Sequence, residues 1–346
     1  MKKMKKMKKC VWVVFVAAFL LMFAGSGMAQ DKVIKWKLQD QYAGSGPQAG
    51  YLTVPLIEWI HKATNGRLQI TRYEPGALAS VRDTFDALKR GAFDVAFMYP
   101  GFYGGAMPEA NIDQGVPYGW TDARAQTMSL FQFGFYDLMR KVYAKHNLYY
   151  LVSFPMGDIY GIGTIKPVKK LDDLKGLKLR AVGIYADFMK ELGAAPTSVP
   201  YDEMYMALKL GTIDGYLASS SALISGKLGE VIHHYLLPTT NSINCIWAVN
   251  LDSWNALPKD IRELLENAAP MVAVKNAALY SGYVENSRAE AIKKYNVQFH
   301  TLSAADQARA LKVAVPLWDA AAAKSPESKQ AVDIIKETNR YLGKME

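Results

Sequence analysis

An eight-residue pattern occurs twice in the chain, at residues 87–94 and again 120 positions later at residues 207–214. Both copies have the form Ala-Leu-Lys-x-Gly-x-x-Asp. The glycine suits the left-handed residue that ends a helix, and the aspartate lies near the start of an apolar run typical of a buried strand. One copy could arise at any α/β junction, but two copies at matching places favour a repeated α/β lobe.

Alternating patterns around both copies support this interpretation. In the first half they predict strands over 36–42, 68–73 and 93–98 and helices over 52–64 and 81–90. In the second half they predict helices over 171–174, 186–192 and 201–210 and strands over 177–182 and 213–218. The remaining patterns predict helices over 131–146, 258–295, 304–323 and 327–342 and connecting strands over 148–153 and 242–250. The fold class is therefore α/β, with two lobes joined by strands and a long spanning helix.

The N-terminus has the three parts of a secretory signal. Six lysines lie in Met1–Lys9, an apolar run follows over Cys10–Ala24, and small residues lead to Ala29. The apolar run is too short for a membrane span, and Cys10 has no lipoprotein cleavage box before it. We expect cleavage after Ala29 and export to the periplasm; a retained anchor is the alternative.

Charge and cysteine content exclude further classes. Without the six lysines of the signal, the net charge of +9 falls to +3, and no basic stripe interleaved with aromatic residues remains for nucleic acid. Cys245 is then the one cysteine left, so the mature chain cannot form an intramolecular disulfide.

The main enzyme-like signal is the glycine-rich segment Gly44–Ala49, which fits a dinucleotide-binding loop, with Glu74 where a ribose-binding acid would lie. Against it, Pro47 removes a backbone N–H, and an exported chain meets no nicotinamide pool. Cys245 and the pair His233-His234 lack a placed partner acid, and the five histidines lack metal-ligand spacing. We therefore predict no catalytic residue, cofactor or metal, with a periplasmic dinucleotide enzyme or lyase as the rival.

Arg180 ends a short apolar strand, where ligands bind in open α/β sheets. Its guanidinium could hold a carboxylate with two hydrogen bonds, although an exposed arginine paired with Asp172 or Asp173 is an alternative. Aromatic and polar residues at corresponding strand ends are further candidates for the substrate site. They are Tyr99, Tyr160, Tyr216, Trp247, Gln39, Gln41 and Ser219.

Residues 167–180, Pro-Val-Lys-Lys-Leu-Asp-Asp-Leu-Lys-Gly-Leu-Lys-Leu-Arg, resemble the central signature of TRAP-transporter substrate-binding proteins of the DctP type. Segments 191–197, 207–215, 93–97 and 107–110 continue the resemblance, which covers essentially the whole mature chain. It implies a two-lobe periplasmic binding protein fold of type II-like form. It also implies that Arg180 pairs with a substrate carboxylate, and that the partner is a membrane permease driven by an ion gradient without ATP.

With this fold we expect the signal at 1–29, lobe I at 30–152 plus 241–282, and lobe II at 153–240 plus 283–346. Two positions depart from charged or polar residues common in the family, and a third has an aromatic residue where its 2-oxo-acid members tend to place one. Tyr160 lies near the place of a second basic residue, Tyr99 replaces an acidic or polar residue, and Tyr216 follows Asp214-Gly215. These changes favour a monocarboxylate, aromatic or 2-oxo, over a dicarboxylate or sialic acid. The oligomeric state stays open.

Overall fold

The computed structural model describes residues 33–44, 49–158, 160–237 and 242–345, without the side chains of residues 158 and 160. The predicted signal, most of the glycine-rich segment and the Tyr160 side chain therefore lie outside the described residues. The strands are β1 (Ile34–Gln39), β2 (Leu68–Tyr73), β3 (Val95–Met98), β4 (Leu148–Asp158), β5 (Tyr160–Thr164), β6 (Lys178–Arg180), β7 (Ala195–Thr197), β8 (Gly215–Ser219), β9 (His234–Leu237), β10 (Ser242–Asn250) and β11 (Gln298–Thr301).

The α-helices surround these strands. They are α1 (Val54–Ala63), α2 (Thr84–Lys89), α3 (Ala110–Asp113), α4 (Ala123–Phe131), α5 (Phe135–Ala144), α6 (Ile184–Glu191), α7 (Met204–Lys209), α8 (Ala222–Ser225), α9 (Leu251–Asn255), α10 (Lys259–Tyr295), α11 (Ala304–Ala322) and α12 (Pro326–Tyr341). No helix in the described ranges is both long enough and apolar enough to cross a membrane.

Two separate sheets form the centre of the molecule. The first has the order β2-β1-β3-β10-β4, and the second has the order β11-β9-β5-β8-β6-β7. In both sheets the core strands run parallel, β1 beside β3 and β6 beside β8. One further strand pairs antiparallel with them, β10 with β3 in the first sheet and β5 with β8 in the second. The predicted α/β class with two lobes is confirmed.

The repeated pattern performs the same task in both sheets. Asp94 accepts a hydrogen bond from the backbone N–H of Lys37 at 2.8 Å, and Asp214 accepts one from Lys178 at 2.8 Å. The preceding glycines, Gly91 and Gly211, have left-handed φ values of 75° and 70°. Each aspartate thus fixes the strand that leads to one side of the space between the lobes.

The connections between the lobes are the strands β4 and β10 and the long helix α10. β4 stays paired with β10 as far as Asp158, opposite Ser242, and the chain enters the second sheet at Tyr160. Helix α10 packs along β4, α11 packs against α6, and the final helix α12 packs against α3, α4 and α5 beside the first sheet. The exact residue limits of the two lobes stay a prediction.

Candidate functional site

A cleft opens between the two sheets, where the carboxyl ends of their core strands face each other. It contains about 560 Å³ of space, part of it open to solvent. Residues after β1 and β3 form one side, and residues at the ends of β6 and β8 form the other. The lining residues are Gln41, Tyr42, Val81, Tyr99, Phe102, Met156, Arg180, Tyr201, Asp202, Ala218, Ser219, Ile243 and Tyr280.

Arg180 is the most unusual residue of this lining, because it is a cation with only 3 % of its surface exposed. Its Nε donates to the carbonyl oxygen of Val199 at 2.9 Å, and Nη1 lies 3.4 Å from the carbonyl oxygen of Leu217. Within the described ranges it forms no ion pair. A buried charge without a counter-ion is costly, so the cleft is prepared for an anion.

The alternative of a surface arginine paired with a neighbouring aspartate does not hold. Asp172 pairs instead with Arg309 at 2.9 Å. The carboxylate of Asp173 accepts the backbone N–H of Lys169 at 2.9 Å and caps a short helical turn. Both aspartates are thus engaged elsewhere.

Gln39 occupies in the first sheet the position that Arg180 occupies in the second. It lies opposite Ala96 on β3, as Arg180 lies opposite Tyr216 on β8. Its Nε2 donates to the carbonyl oxygen of Glu74 at 2.9 Å, just past the end of the neighbouring strand. Arg180 donates likewise to Val199, past the end of β7. Gln39 is buried and does not line the cleft; it ties two strand ends together.

Aromatic rings from both lobes form the walls. Tyr42 from the first lobe meets Tyr201 from the second edge-on, with ring centroids 5.5 Å apart. Tyr99 and Phe102 form another edge-on pair, with centroids 5.9 Å apart. Tyr99 was predicted from the sequence, whereas Tyr42, Tyr201 and Tyr280 were not. Nothing in their local pattern distinguishes them from the many other aromatic residues.

Polar groups in the cleft are connected to buried partners. The Ser219 hydroxyl lies 2.7 Å from Ser221 Oγ, which lies 3.2 Å from the hydroxyl of Tyr280 on α10. The Gln41 side-chain amide lies 3.5 Å from Cys245 Sγ. A hydroxyl group can rotate and can donate or accept a hydrogen bond. Ser219 can therefore bond to either a donor or an acceptor atom of a ligand.

Cys245 is buried directly behind the cleft wall. Burial raises the pKa of its thiol to about 12, so the sulfur stays protonated at neutral pH and is a poor nucleophile. The thiol lies 3.8 Å from the Tyr42 hydroxyl, and no histidine of the described ranges is hydrogen-bonded to it. Its role is to pack beneath Gln41 and Tyr42.

Tyr216 and Trp247, both predicted as substrate-binding residues, are fully buried and do not line the cleft. The Tyr216 ring lies edge-on to Tyr235, with centroids 6.3 Å apart, inside the second lobe. Trp247 lies beside Phe154 at 6.3 Å in the core of the first lobe. Arg180, Tyr99, Gln41 and Ser219 are therefore the predicted residues that the structure brings together at the cleft.

Gly44, the first residue of the glycine-rich segment, is bonded to a charged network. Arg72 donates to Asp40 at 2.7 Å and to Glu74 at 2.7 Å, and Glu74 accepts the backbone N–H of Gly44 at 2.8 Å. Pairing with Arg72 lowers the pKa of Glu74, whereas burial raises that of Asp40. Glu74 is thus committed to its arginine and is not free to bind a ribose.

Metal-binding side chains do not converge in the part of the chain that the structure describes. No group of three or more His, Cys, Asp or Glu residues there is placed to hold an ion.

Comparisons with known proteins agree with this architecture. The chain is 29 % identical over 245 residues to the monocarboxylate 2-oxoacid-binding periplasmic protein of Nostoc sp., covering 68 % of this chain and 65 % of that relative. It is 28 % identical over 269 residues to the C4-dicarboxylate-binding periplasmic protein of Rhodobacter capsulatus, covering 76 % of this chain and 79 % of that relative.

Solved structures share the fold. A TRAP transporter solute-binding protein from Bordetella bronchiseptica, with copurified calcium and picolinate, has a TM-score of 0.83 at 21 % identity, covering 90 % of this chain and 93 % of the other. A TRAP periplasmic solute-binding protein from Colwellia psychrerythraea, with bound calcium and pyruvate, has a TM-score of 0.81 at 24 % identity, covering 90 % and 96 %.

The family model for bacterial extracellular solute-binding protein family 7, DctP, matches residues 42–325, which is most of the chain. The resemblance found in the signature at residues 167–180 is thereby confirmed, as is the prediction of a binding protein rather than an enzyme. This family match, together with the two-lobe fold and the buried arginine in the cleft, leads to one conclusion: the chain belongs to the DctP family of solute-binding proteins.

Proposed function

We propose that this chain is the periplasmic component of a TRAP transporter and captures a small organic monocarboxylate, with an aromatic or 2-oxo acid favoured. After export and removal of residues 1–29, it delivers this ligand to a membrane permease driven by an ion gradient. One observation carries the proposal: Arg180 is buried without a counter-ion among the described residues, in a cleft whose lining includes five aromatic residues.

The geometry of Arg180 supports a carboxylate as the bound group. Its Nε is occupied by the Val199 carbonyl oxygen, which fixes the plane of the guanidinium. The two terminal nitrogens offer donors in a planar fork that matches a carboxylate. A hydrogen bond to a charged group contributes roughly 1.5–3 kcal/mol, so this pair would dominate the affinity for a small acid.

The rest of the cleft supports a ligand with one carboxylate. Arg180 is the single cation among the described lining residues, so a second carboxylate would find no partner there. The rings of Tyr42, Tyr99 and Phe102 offer surface for an apolar or aromatic body. The Ser219 hydroxyl is available to a 2-oxo oxygen. The Nostoc relative is named for 2-oxo monocarboxylates and the Rhodobacter relative for C4-dicarboxylates, so the choice depends on this cleft.

We further propose that the bound ligand contacts both lobes, since the walls of the cleft come from both. Gln41 and Tyr99 would contact it from lobe I, and Arg180 and Ser219 from lobe II. Gln39, Tyr216 and Trp247 would act from behind the walls by holding strands in place. Across the cleft rim, Arg82 Nη2 lies 3.3 Å from the Ser198 carbonyl oxygen, a contact expected when the lobes close.

Thermal-shift measurements with a library of organic acids test the proposal. A ligand at 100 times its dissociation constant stabilises a protein by about 2.7 kcal/mol, so binders stand out clearly. We expect shifts with aromatic or 2-oxo monocarboxylates, and recovery of the ligand chemically unchanged after denaturation. Strong shifts with C4-dicarboxylates alone would refute the ligand class, and conversion of the acid would refute a binding role.

A further inference from the structure

Two of the described residues that line the cleft carry a charge, and their signs are opposite. Arg180 is buried in the cleft, whereas Asp202 is exposed. The other described lining residues are neutral. The positive charge of the cleft is therefore buried, and its negative charge lies at an exposed residue.

The carboxylate of Asp202 is not neutralised within the described part of the chain, where no ion pair or hydrogen bond engages it. Two other exposed acids of the same lobe are engaged, by contrast. Asp172 is paired with Arg309, and Glu230 accepts a hydrogen bond from the hydroxyl of Tyr205 at 2.6 Å. The charge of Asp202 is therefore available to act on a bound ligand.

The position of Asp202 places this charge where the lobes meet. Asp202 directly follows Tyr201 in a short helical turn, Tyr201–Glu203. The Tyr201 ring contacts the Tyr42 ring of the opposite lobe, with centroids 5.5 Å apart. Closure of the lobes over a ligand would therefore keep Asp202 beside the outer end of the ligand, opposite to the end that Arg180 holds.

We propose that Asp202 makes the cleft selective against a second negative charge and so determines the preference for monocarboxylates over dicarboxylates. The inference rests on the proposed function and names the residue that sets its specificity. Discrimination between two ligands is a difference of affinities, which repulsion of the wrong ligand can supply. A distal carboxylate would meet Asp202 and no cation, whereas an uncharged group of the same shape would meet no repulsion.

A matched pair of acids tests the inference directly. In 2-oxoglutarate a carboxylate takes the place of the isopropyl group of 5-methyl-2-oxohexanoate, so the two keto acids differ chiefly in the distal charge. Dissociation constants for both are measured by calorimetry with the wild type, with Asp202→Asn and with Glu203→Gln. Glu203 is the matched control, because it is an exposed acid next in sequence that does not line the cleft.

The wild type should bind 5-methyl-2-oxohexanoate more tightly than 2-oxoglutarate. Asp202→Asn should narrow the ratio of the two dissociation constants by about 5- to 20-fold, the size of repulsion between unit charges about 5 Å apart at a partly exposed site. Glu203→Gln should leave the ratio unchanged. Raising the salt concentration should narrow the ratio for the wild type more than for Asp202→Asn, because salt screens exposed charges.

Two results would overturn the inference while the proposed function stands. One is an unchanged ratio in Asp202→Asn, and the other is an equal narrowing in Glu203→Gln, which would show a general effect of net charge. A wild type that prefers 2-oxoglutarate would also overturn it, together with the monocarboxylate assignment. A wild type that binds no organic acid at all would refute the proposed function itself.

Discussion

Replacing Arg180 with glutamine should remove ligand binding while leaving the apo protein at least as stable as the wild type. The first lobe shows why glutamine is the informative substitution. Gln39, at the corresponding position, donates to the Glu74 carbonyl oxygen at 2.9 Å, as Arg180 does to Val199. A glutamine at position 180 can therefore keep the hydrogen bond between the strand ends, while it removes the positive charge and the planar pair of donors of the guanidinium.

The expected loss follows from the two hydrogen bonds that the guanidinium would make to a carboxylate. At roughly 1.5–3 kcal/mol each, they sum to about 3–6 kcal/mol, or about 100- to 20,000-fold in affinity. The apo protein should not lose stability, because Arg180 is 3 % exposed and a buried charge without a counter-ion opposes folding. Its melting temperature should stay equal or rise.

Calorimetry with the best ligand from the acid library measures the affinity, and thermal unfolding without ligand measures the stability. Arg180→Lys is the matched control, because it keeps the charge and loses the planar fork; it should bind more weakly than the wild type and more tightly than Arg180→Gln. Affinity within tenfold of wild type in Arg180→Gln would refute the carboxylate clamp. A lower apo melting temperature would refute the argument that the buried charge is unsatisfied.

Three further perturbations test other parts of the structure. Arg82→Ala removes the contact with Ser198 across the cleft rim and should speed ligand release about two- to fivefold, as expected for one weak hydrogen bond; unchanged stopped-flow release would contradict this. Tyr201→Ala removes the ring that contacts Tyr42 and should weaken binding of an aromatic acid more than binding of pyruvate. Equal losses of affinity for the two acids would contradict a role of Tyr201 in the aromatic wall of the cleft. Burial raises the pKa of Asp113 to about 6, above its value in the unfolded chain, so the contribution of Asp113 to the free energy of unfolding should fall as pH rises from about 4 to 6. Denaturant titrations of Asp113→Asn should lack this pH-dependent component. The same dependence of unfolding free energy on pH in the variant and the wild type would refute the reasoning.

Much of the fold could be predicted, because long patterns dominate it. The bounds of β2 and β10 agree with the predicted strands, and α10 with the predicted spanning helix to within one residue. These segments bury continuous or alternating apolar faces, which are the signals that periodicity detects. The helix predicted to begin at Phe131 begins instead at Phe135, because Gly134 takes a left-handed φ of 84°.

Strand β5 was not predicted, and the reason is visible in its packing. Its glycines make it look like a loop. A Cβ at Gly161 would lie 2.4 Å from the Tyr235 ring, and one at Gly163 would lie 2.5 Å from the Tyr216 ring. The strand requires glycine at these two positions, because the tyrosine rings of the neighbouring strands pack directly against its backbone. The same packing explains why Tyr216 faces the lobe interior rather than the cleft.

The site was predictable where the residue type itself is informative. An arginine at the end of an apolar strand is exceptional, and so Arg180 could be identified. The tyrosines Tyr42, Tyr201 and Tyr280 reach the cleft through the way the lobes face each other. No local sequence pattern indicates how the two lobes face each other. Asp202 was missed for the same reason, since an acid in the first turn of a helix is commonplace.

The correspondence between Gln39 and Arg180 means that the cleft has a direction. Arg180 lines the cleft and carries the charge that would orient a ligand, whereas Gln39, at the corresponding position of the other sheet, is buried outside the cleft lining and carries none. The repeated lobe thus contains the same strand-end hydrogen bond in two forms, one that only holds strands together and one whose donor also carries a positive charge into the cleft.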